Sequence, residues 1–152
     1  MTQPAAAMVK VFAACGVDRV VVVAASGLNE VFSHYDRQER CIWATREEEA
    51  LALAAGLALG GELPLVIMQQ SGVGNALNAA FSLADAYGIY FPVLVCDRGA
   101  ADSNPVQCVS SQQTAKVLQA ISGRTIDFNA EDAEEEFSRC VRERCRWITC
   151  SL

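Results

Sequence analysis

The sequence predicts a doubly wound α/β domain, in three layers α/β/α around a six-stranded, mainly parallel sheet. Three observations carry this. Short apolar runs bounded by turn residues alternate with helical stretches along the whole chain, as in successive βαβ units. The run Arg19 to Ala25 is valine-rich and uninterrupted, the pattern of a parallel strand covered on both faces. With 152 residues, 52% hydrophobic and 20% charged, the chain is long enough for a sizeable core and too apolar to be disordered. A single domain over residues 1–152 is expected.

Ala5 to Cys15 places Met8, Val9, Val11, Phe12 and Cys15 at helical spacing, with Gly16 as the stop. The first strand, Arg19 to Ala25, turns at Ser26-Gly27 into a short helix over Leu28 to Tyr35. Arg40 to Ala44 reads as a second strand, and a helix follows from about Arg46 to Leu59, ended by Gly60-Gly61. Leu63 to Gln69 is the third strand. The glycine-bearing turn Gln70 to Asn75 then leads to a helix from about Ala76 to Tyr87. Phe91 to Cys96 is the fourth strand, and Asp97 to Cys108 a polar loop long enough to suggest function. Helical pattern resumes from Gln112 to Ile121, and Arg124 to Phe128 reads as a strand. Asn129 begins an amphipathic helix with Ala133, Phe137, Cys140 and Val141 inward, and Arg146 to Cys150 closes as a strand. Glu135 and Arg139 are expected to pair on its solvated face.

The net charge of −6 leaves no basic stripe for nucleic acid or an anionic membrane. Apolar runs fall well short of the ~20 residues of a membrane span, and no signal peptide is read at the N-terminus. A cytoplasmic protein is expected. Seven cysteines occur with no Cys-x-x-Cys pair, and His34 is the only histidine. That pattern lacks the clustered ligands of a zinc site and reads as buried, reduced thiols. With one histidine and no Gly-x-Ser-x-Gly elbow, a hydrolase triad is not expected either.

In parallel wound sheets ligands bind beyond the carboxyl ends of the strands. Four turns are therefore candidates and should share one edge: Ser26-Gly27, Thr45 to Glu49, Gln70 to Asn75, and Asp97 onward. The stretch Thr45 to Gly61 opens with three carboxylates on a helix apolar all round, which is normally buried. A carboxylate against an apolar wall suits proton transfer. Thr45 as N-cap with Glu48 reaching back would form a capping box. Glu47 and Glu49 are left between helix capping and chemistry. Gly72-Val73-Gly74 after a strand suggests a phosphate loop. Leu77, however, stands where a third glycine is needed, so a tight turn for close helix–strand packing remains the other reading.

Three motifs in order, Thr-Arg-Glu-Glu-Glu-Ala-x-x-x-Ala-Ala-Gly, Met-Gln-Gln-Ser-Gly-Val-Gly-Asn-Ala-x-Asn and Pro-Val-Leu-Val-Cys-Asp-Arg-Gly, resemble the pyrimidine-binding (PYR) domain of thiamine-diphosphate enzymes. Within that family they are most similar to the sulfopyruvate and phosphonopyruvate decarboxylases. The resemblance implies a carboxy-lyase for a three-carbon keto acid bearing a sulfonate or phosphonate. An acetolactate-synthase-like carboligase and a non-catalytic regulatory protein are the alternatives. The family's cofactor-activating glutamate lies nine positions before the glycine of Ala-Ala-Gly; counted from Gly56, that is Glu47. It would bond N1′ of the aminopyrimidine. The same resemblance places Ser26, Ser71, Gly72 and Asn75 at the cofactor, and Gln70, Ser71 and Arg98 near the substrate, with Arg98 either pairing with its anion or anchoring its own loop.

The sequence departs from the family at Asp97, before Arg98-Gly99, at Gln69-Gln70-Ser71-Gly72, and at Ala24-Ala25-Ser26 where proline is usual. It also has no Gly-Asp-Gly and no Asn-Asn, the motifs with which the family's diphosphate-binding domain holds Mg²⁺ and the phosphates. The expectation is therefore a separate beta subunit carrying that domain and most Mg²⁺ contacts, a hetero-oligomer with alpha–alpha contacts, and no activity without the partner. No metal ligand is expected on this chain.

Overall fold

A computed structural model describes residues 3–99 and 102–151. Six strands form one all-parallel sheet in the order β2-β1-β3-β4-β6-β5: β1 (Arg19–Val22), β2 (Cys41–Trp43), β3 (Pro64–Gln69), β4 (Val93–Asp97), β5 (Arg124–Thr125) and β6 (Trp147–Ser151). Helices α1 (Gln3–Ala14), α2 (Asn29–Asp36) and α6 (Ala133–Arg142) cover one face. The other carries α3 (Glu47–Leu59), α4 (Val73–Ala79) and α5 (Pro105–Ala120).

Side chains alternate across each strand, so the two faces draw on interleaved residues. Val20, Val22, Leu65, Ile67 and Leu94 meet Phe12, Phe32 and Phe137 on the first face. Val21, Val66, Met68, Val93 and Val95 meet Leu51, Ala54, Ala76 and Leu118 on the second. Phe12 has no exposed surface and stands edge-on to Phe128, with ring centroids 5.5 Å apart. Truncating it to alanine is worth about 3–5 kcal/mol.

Several boundaries differ from the expected ones, each for a local reason. Helix α5 begins at Pro105, well before Gln112. The Asn104 side chain accepts the Val106 amide at 3.0 Å and proline occupies the first turn, so the polar loop is shorter than expected. Helix α6 begins at Ala133 because Asp127 accepts the Asn129 amide at 2.9 Å, holding that segment in a turn. Strand β5 shrinks to two residues, and Arg139 pairs with Glu136 in place of Glu135.

The glycine-bearing turn is not a loop. Gln70–Gly72 is a single 3₁₀ turn running straight into α4, which continues as a π-helical segment, Ala80–Asp85. Gly72 itself is αR, with φ −86° and ψ −12°. The phosphate-loop reading therefore gives way to close packing.

The fold turns the chain both ways from β1, to β2 on one side and β3 on the other. The turns that follow these strands open a crevice at the carboxyl edge.

Candidate active site

The first turn of α3 enters this crevice from the β2 side. Its N-cap is Arg46, extended at φ −137° and ψ 152°, so the helix starts one residue later than a Thr45 cap requires. That shift corrects the capping box. Glu49 becomes the third helical residue, and its Oε2 accepts both the amide and the hydroxyl of Thr45 at 2.8 Å. Glu48 instead pairs with Arg46 at 2.7 Å. Both carboxyls are held below the usual carboxylate range. The Thr45 hydroxyl is the largest cause for Glu49, and its own backbone amide, then Arg46, for Glu48.

Glu47 faces elsewhere. Its Oε2 accepts the Asn75 side-chain amide at 3.0 Å, and the carboxyl lies directly on Gly72. A Cβ placed on Gly72 would stand 2.6 Å from both Cγ and Cδ of Glu47, inside van der Waals contact. The missing side chain of Gly72 is what lets Glu47 occupy this position. Two of the expected motifs thus converge on one carboxylate, Glu47 from α3 and Gly72 with Asn75 from the β3–α4 junction. Glu47 is half-buried, and Asn75 and Ser71 are exposed toward the edge.

Gln70 lies behind this surface. It is 1% exposed, its amide donates to Gln107 Oε1 at 2.8 Å, and its carbonyl accepts the Thr114 hydroxyl at 3.0 Å. Helix α5 lies over it, and Gln70 lines a cavity of about 390 Å³ with Asp97 and Ser111, its own side-chain oxygen without a partner among the described residues. Gln69, half-buried beside it, donates to the same Gln107 oxygen at 2.8 Å. Gln107 is the residue that sequence reasoning missed. The Asn104-Pro105 helix start was its available signal, since it places Gln107 in the first turn of α5.

Arg98 is bonded to Asp102 at 2.7 Å and is about one-third exposed, so it anchors its loop in the observed state. Ser26 is exposed and, with Gly27 and Trp43, borders a shallow cleft of about 280 Å³ at the ends of β1 and β2. Glu47, Gly72 and Asn75 are thus in contact, whereas Ser26 and Arg98 line separate parts of the edge. Among the described residues no cluster of His, Cys, Asp or Glu could hold a metal ion.

Residues 3–130 match the thiamine pyrophosphate enzyme N-terminal TPP-binding domain. The chain belongs to the thiamine pyrophosphate enzyme family. It is 34% identical over 109 residues to the sulfopyruvate decarboxylase subunit alpha of Methanococcus maripaludis, covering 70% of this chain and 65% of that one. It is 48% identical over 56 residues to a phosphonopyruvate decarboxylase of Streptomyces hygroscopicus, covering 37% of this chain and 14% of that one. The matches thus span less than two thirds of these relatives' own length. A solved structure, "Split gene transketolase, inactive beta4 tetramer", superimposes with a TM-score of 0.56 at 15% identity, covering 98% of this chain and 49% of the other. That likeness shows the fold. With the family shown, the Glu47–Gly72–Asn75 contact lies in a domain that binds the cofactor.

The long apolar helix needs correction as well. Helix α3 packs on the sheet through Ala50, Leu51, Ala54 and Ala55, but its outer face is open: Leu59 is 74% exposed and Leu53 38%. Phe81, on the adjoining π-helical segment, is also exposed. A helix apolar on all sides is covered here on one side only. Among the described residues no helix is long and apolar enough to cross a membrane.

Proposed function

We propose that this chain is the alpha subunit of a two-component thiamine-diphosphate-dependent decarboxylase acting on 3-sulfopyruvate or 3-phosphonopyruvate. The observation that carries the reading is the Glu47 carboxylate seated on Gly72 and held by Asn75. It is supported by relatives whose names carry these two activities.

The residues present fit thiamine diphosphate. Its pyrimidine needs one positioned carboxylate, and this edge supplies one with a fixed direction. When bound, the cofactor supplies the electron sink for loss of carbon dioxide. Glu47 holds or moves the proton at its carboxyl oxygens, and Asn75 fixes which oxygen faces outward. Gly72 sets how close Glu47 comes, Ser71 and Ser26 offer hydroxyls to the bound pyrimidine, and Gln107 keeps Gln69 and Gln70 in place behind the turn. Arg98, released from Asp102, is the cation that would pair with the substrate's sulfonate or phosphonate.

The partner is a beta subunit bearing the diphosphate-binding motifs and most of the Mg²⁺ contacts. The open apolar face of α3 with Phe81 supports an association there. Alpha–alpha contacts complete a hetero-oligomer, and the chain acts in the cytoplasm.

The test is to co-purify the chain with such a subunit and follow carbon dioxide release from each acid with cofactor and Mg²⁺. Release that requires both chains and is lost in Glu47→Gln supports the proposal. No release from either acid overturns it.

A further inference from the structure

Helix α6 ends in a hydrogen-bonded cap made partly of cysteines. Arg144 takes the left-handed conformation at φ 56°, and its amide donates to the Val141 carbonyl at 3.2 Å. The Cys145 amide donates to the Cys140 carbonyl at 2.8 Å. This pair of bonds is the Schellman arrangement, which presses the side chain just past the cap against one in the helix's last turn. That contact is ordinarily apolar. Here it joins two cysteines, and the Cys145 thiol also donates to the Trp147 carbonyl at 3.5 Å and the Ser122 carbonyl at 3.7 Å. Tyr90 fastens the arrangement from outside, its hydroxyl lying 3.2 Å from the carbonyl oxygens of both cysteines.

The two thiols differ in setting. Cys140 is fully buried, and its pKa is raised, chiefly by the hydrogen bond to Cys145 and by burial. Cys145 is partly exposed and borders a surface groove of about 380 Å³ together with Arg124 and Arg146. Its pKa is brought down to about 7, first by the hydrogen bond from Cys140, then by the nearby Arg124 guanidinium and by the backbone amides of Trp147 and Arg124. An accessible sulfur favoured as thiolate beside a second, protonated thiol is the arrangement of a redox-responsive cysteine pair.

We propose that Cys145 is a peroxide-sensitive thiol and Cys140 its resolving partner, so that oxidation closes a Cys140–Cys145 disulfide across the C-terminal cap of α6. The Cys145 thiolate attacks hydrogen peroxide, the O–O bond breaks, and hydroxide leaves while the sulfur becomes a sulfenic acid. The Cys140 thiol then attacks that sulfur, forming the S–S bond and releasing water. Two electrons pass from the two sulfurs to one peroxide.

The pair lies just before β6, at the amino edge of the sheet, whereas Glu47 follows β2 at the carboxyl edge. The proposed modification is therefore separate from the cofactor site and does not depend on the substrate assignment.

The test exposes the reduced full chain to hydrogen peroxide and maps the remaining alkylatable thiols by mass spectrometry. A sulfenic-acid trap such as dimedone is included in parallel. Cys140 and Cys145 should be protected together, with the loss of two hydrogens. Cys145 should label at least roughly tenfold faster than Cys41, which is also part-exposed but whose thiol burial pushes up to about 11. In Cys140→Ser the sulfenic acid at Cys145 should persist, and in Cys145→Ser the thiol at 140 should stay reduced. Labelling of Cys145 no faster than Cys41 in the unmutated chain, or a first disulfide elsewhere, overturns the proposal without reference to any variant's folding.

Discussion

Replacing Gly72 with alanine separates the geometry of Glu47 from the stability of the fold. At φ −86° and ψ −12° an alanine meets no backbone strain, and in a helix-like turn it gains about 0.5–1 kcal/mol over glycine. The nearest obstacle is Glu47, whose Cγ and Cδ lie 2.6 Å from the added carbon. Ordinary carbon contacts begin near ~3.5 Å, so the carboxyl must retreat by about 1 Å. Glu47 is a flexible, half-buried side chain and can do so at little cost in stability. A shift of about 1 Å in a reacting group costs on the order of 10²-fold in rate.

The expected result is thus a kcat about a hundredfold lower in the reconstituted enzyme at saturating cofactor, with Tm unchanged or slightly raised. In a Glu47→Ala background the same alanine should have no further effect on rate. Gly72→Ala with full activity, or with a large fall in Tm, would refute the claim that this glycine exists to seat Glu47.

Three further outcomes follow from the same contacts. Asn75→Ala removes the hydrogen bond that orients Glu47 and should lower kcat tenfold or more; because that bond is solvent-exposed, the circular-dichroism melt should stay nearly unchanged. Glu48 and Glu49 have folded pKa values below their unfolded ones, so their stabilisation is fully present above the ordinary glutamate range and is lost as pH falls through it. Tm should therefore hold from pH 7 to about 5 and drop below about 4, and Glu49→Gln should flatten that drop. Leu59→Glu, on the open face of α3, should leave the chain's own unfolding within about 0.5 kcal/mol but abolish co-elution with the beta subunit on size exclusion.

Much of this was legible in the sequence, because burial on two faces forces continuous apolar strands. β1, β3, β4 and β6 fell where such runs stand, whereas β5 is the polar pair Arg124–Thr125, with the apolar Ile126 and Phe128 just beyond it. The position of Glu47 came from a motif spacing, and the structure gives that spacing a physical sense, since it sets a carboxylate over a residue with no side chain. The helix starts were less legible. Arg46 offers no capping atom, yet it caps α3, and the reach-back bond moved from Glu48 to Glu49 with that one-residue shift. Gln107 could not be found by periodicity, because its bonds to Gln69 and Gln70 cross 38 and 37 residues of chain. The open face of α3 was hidden for a different reason. Apolar composition states that a surface should be covered, but not by which chain.

The strand order carries a consequence for how the molecule is made. Glu47 and Asn75 are only 28 residues apart, within the unit from β2 to α4, and that unit rests on β1, which is synthesised before it. The last strand, by contrast, must insert between β4 and β5. On a ribosome the Glu47–Asn75 corner can close while the C-terminal third of the chain is still unmade, since nearby contacts cost less loop entropy than distant ones. A truncated nascent chain should already protect the β3–α4 amides from exchange. The β4–β6 ladder has to wait for release.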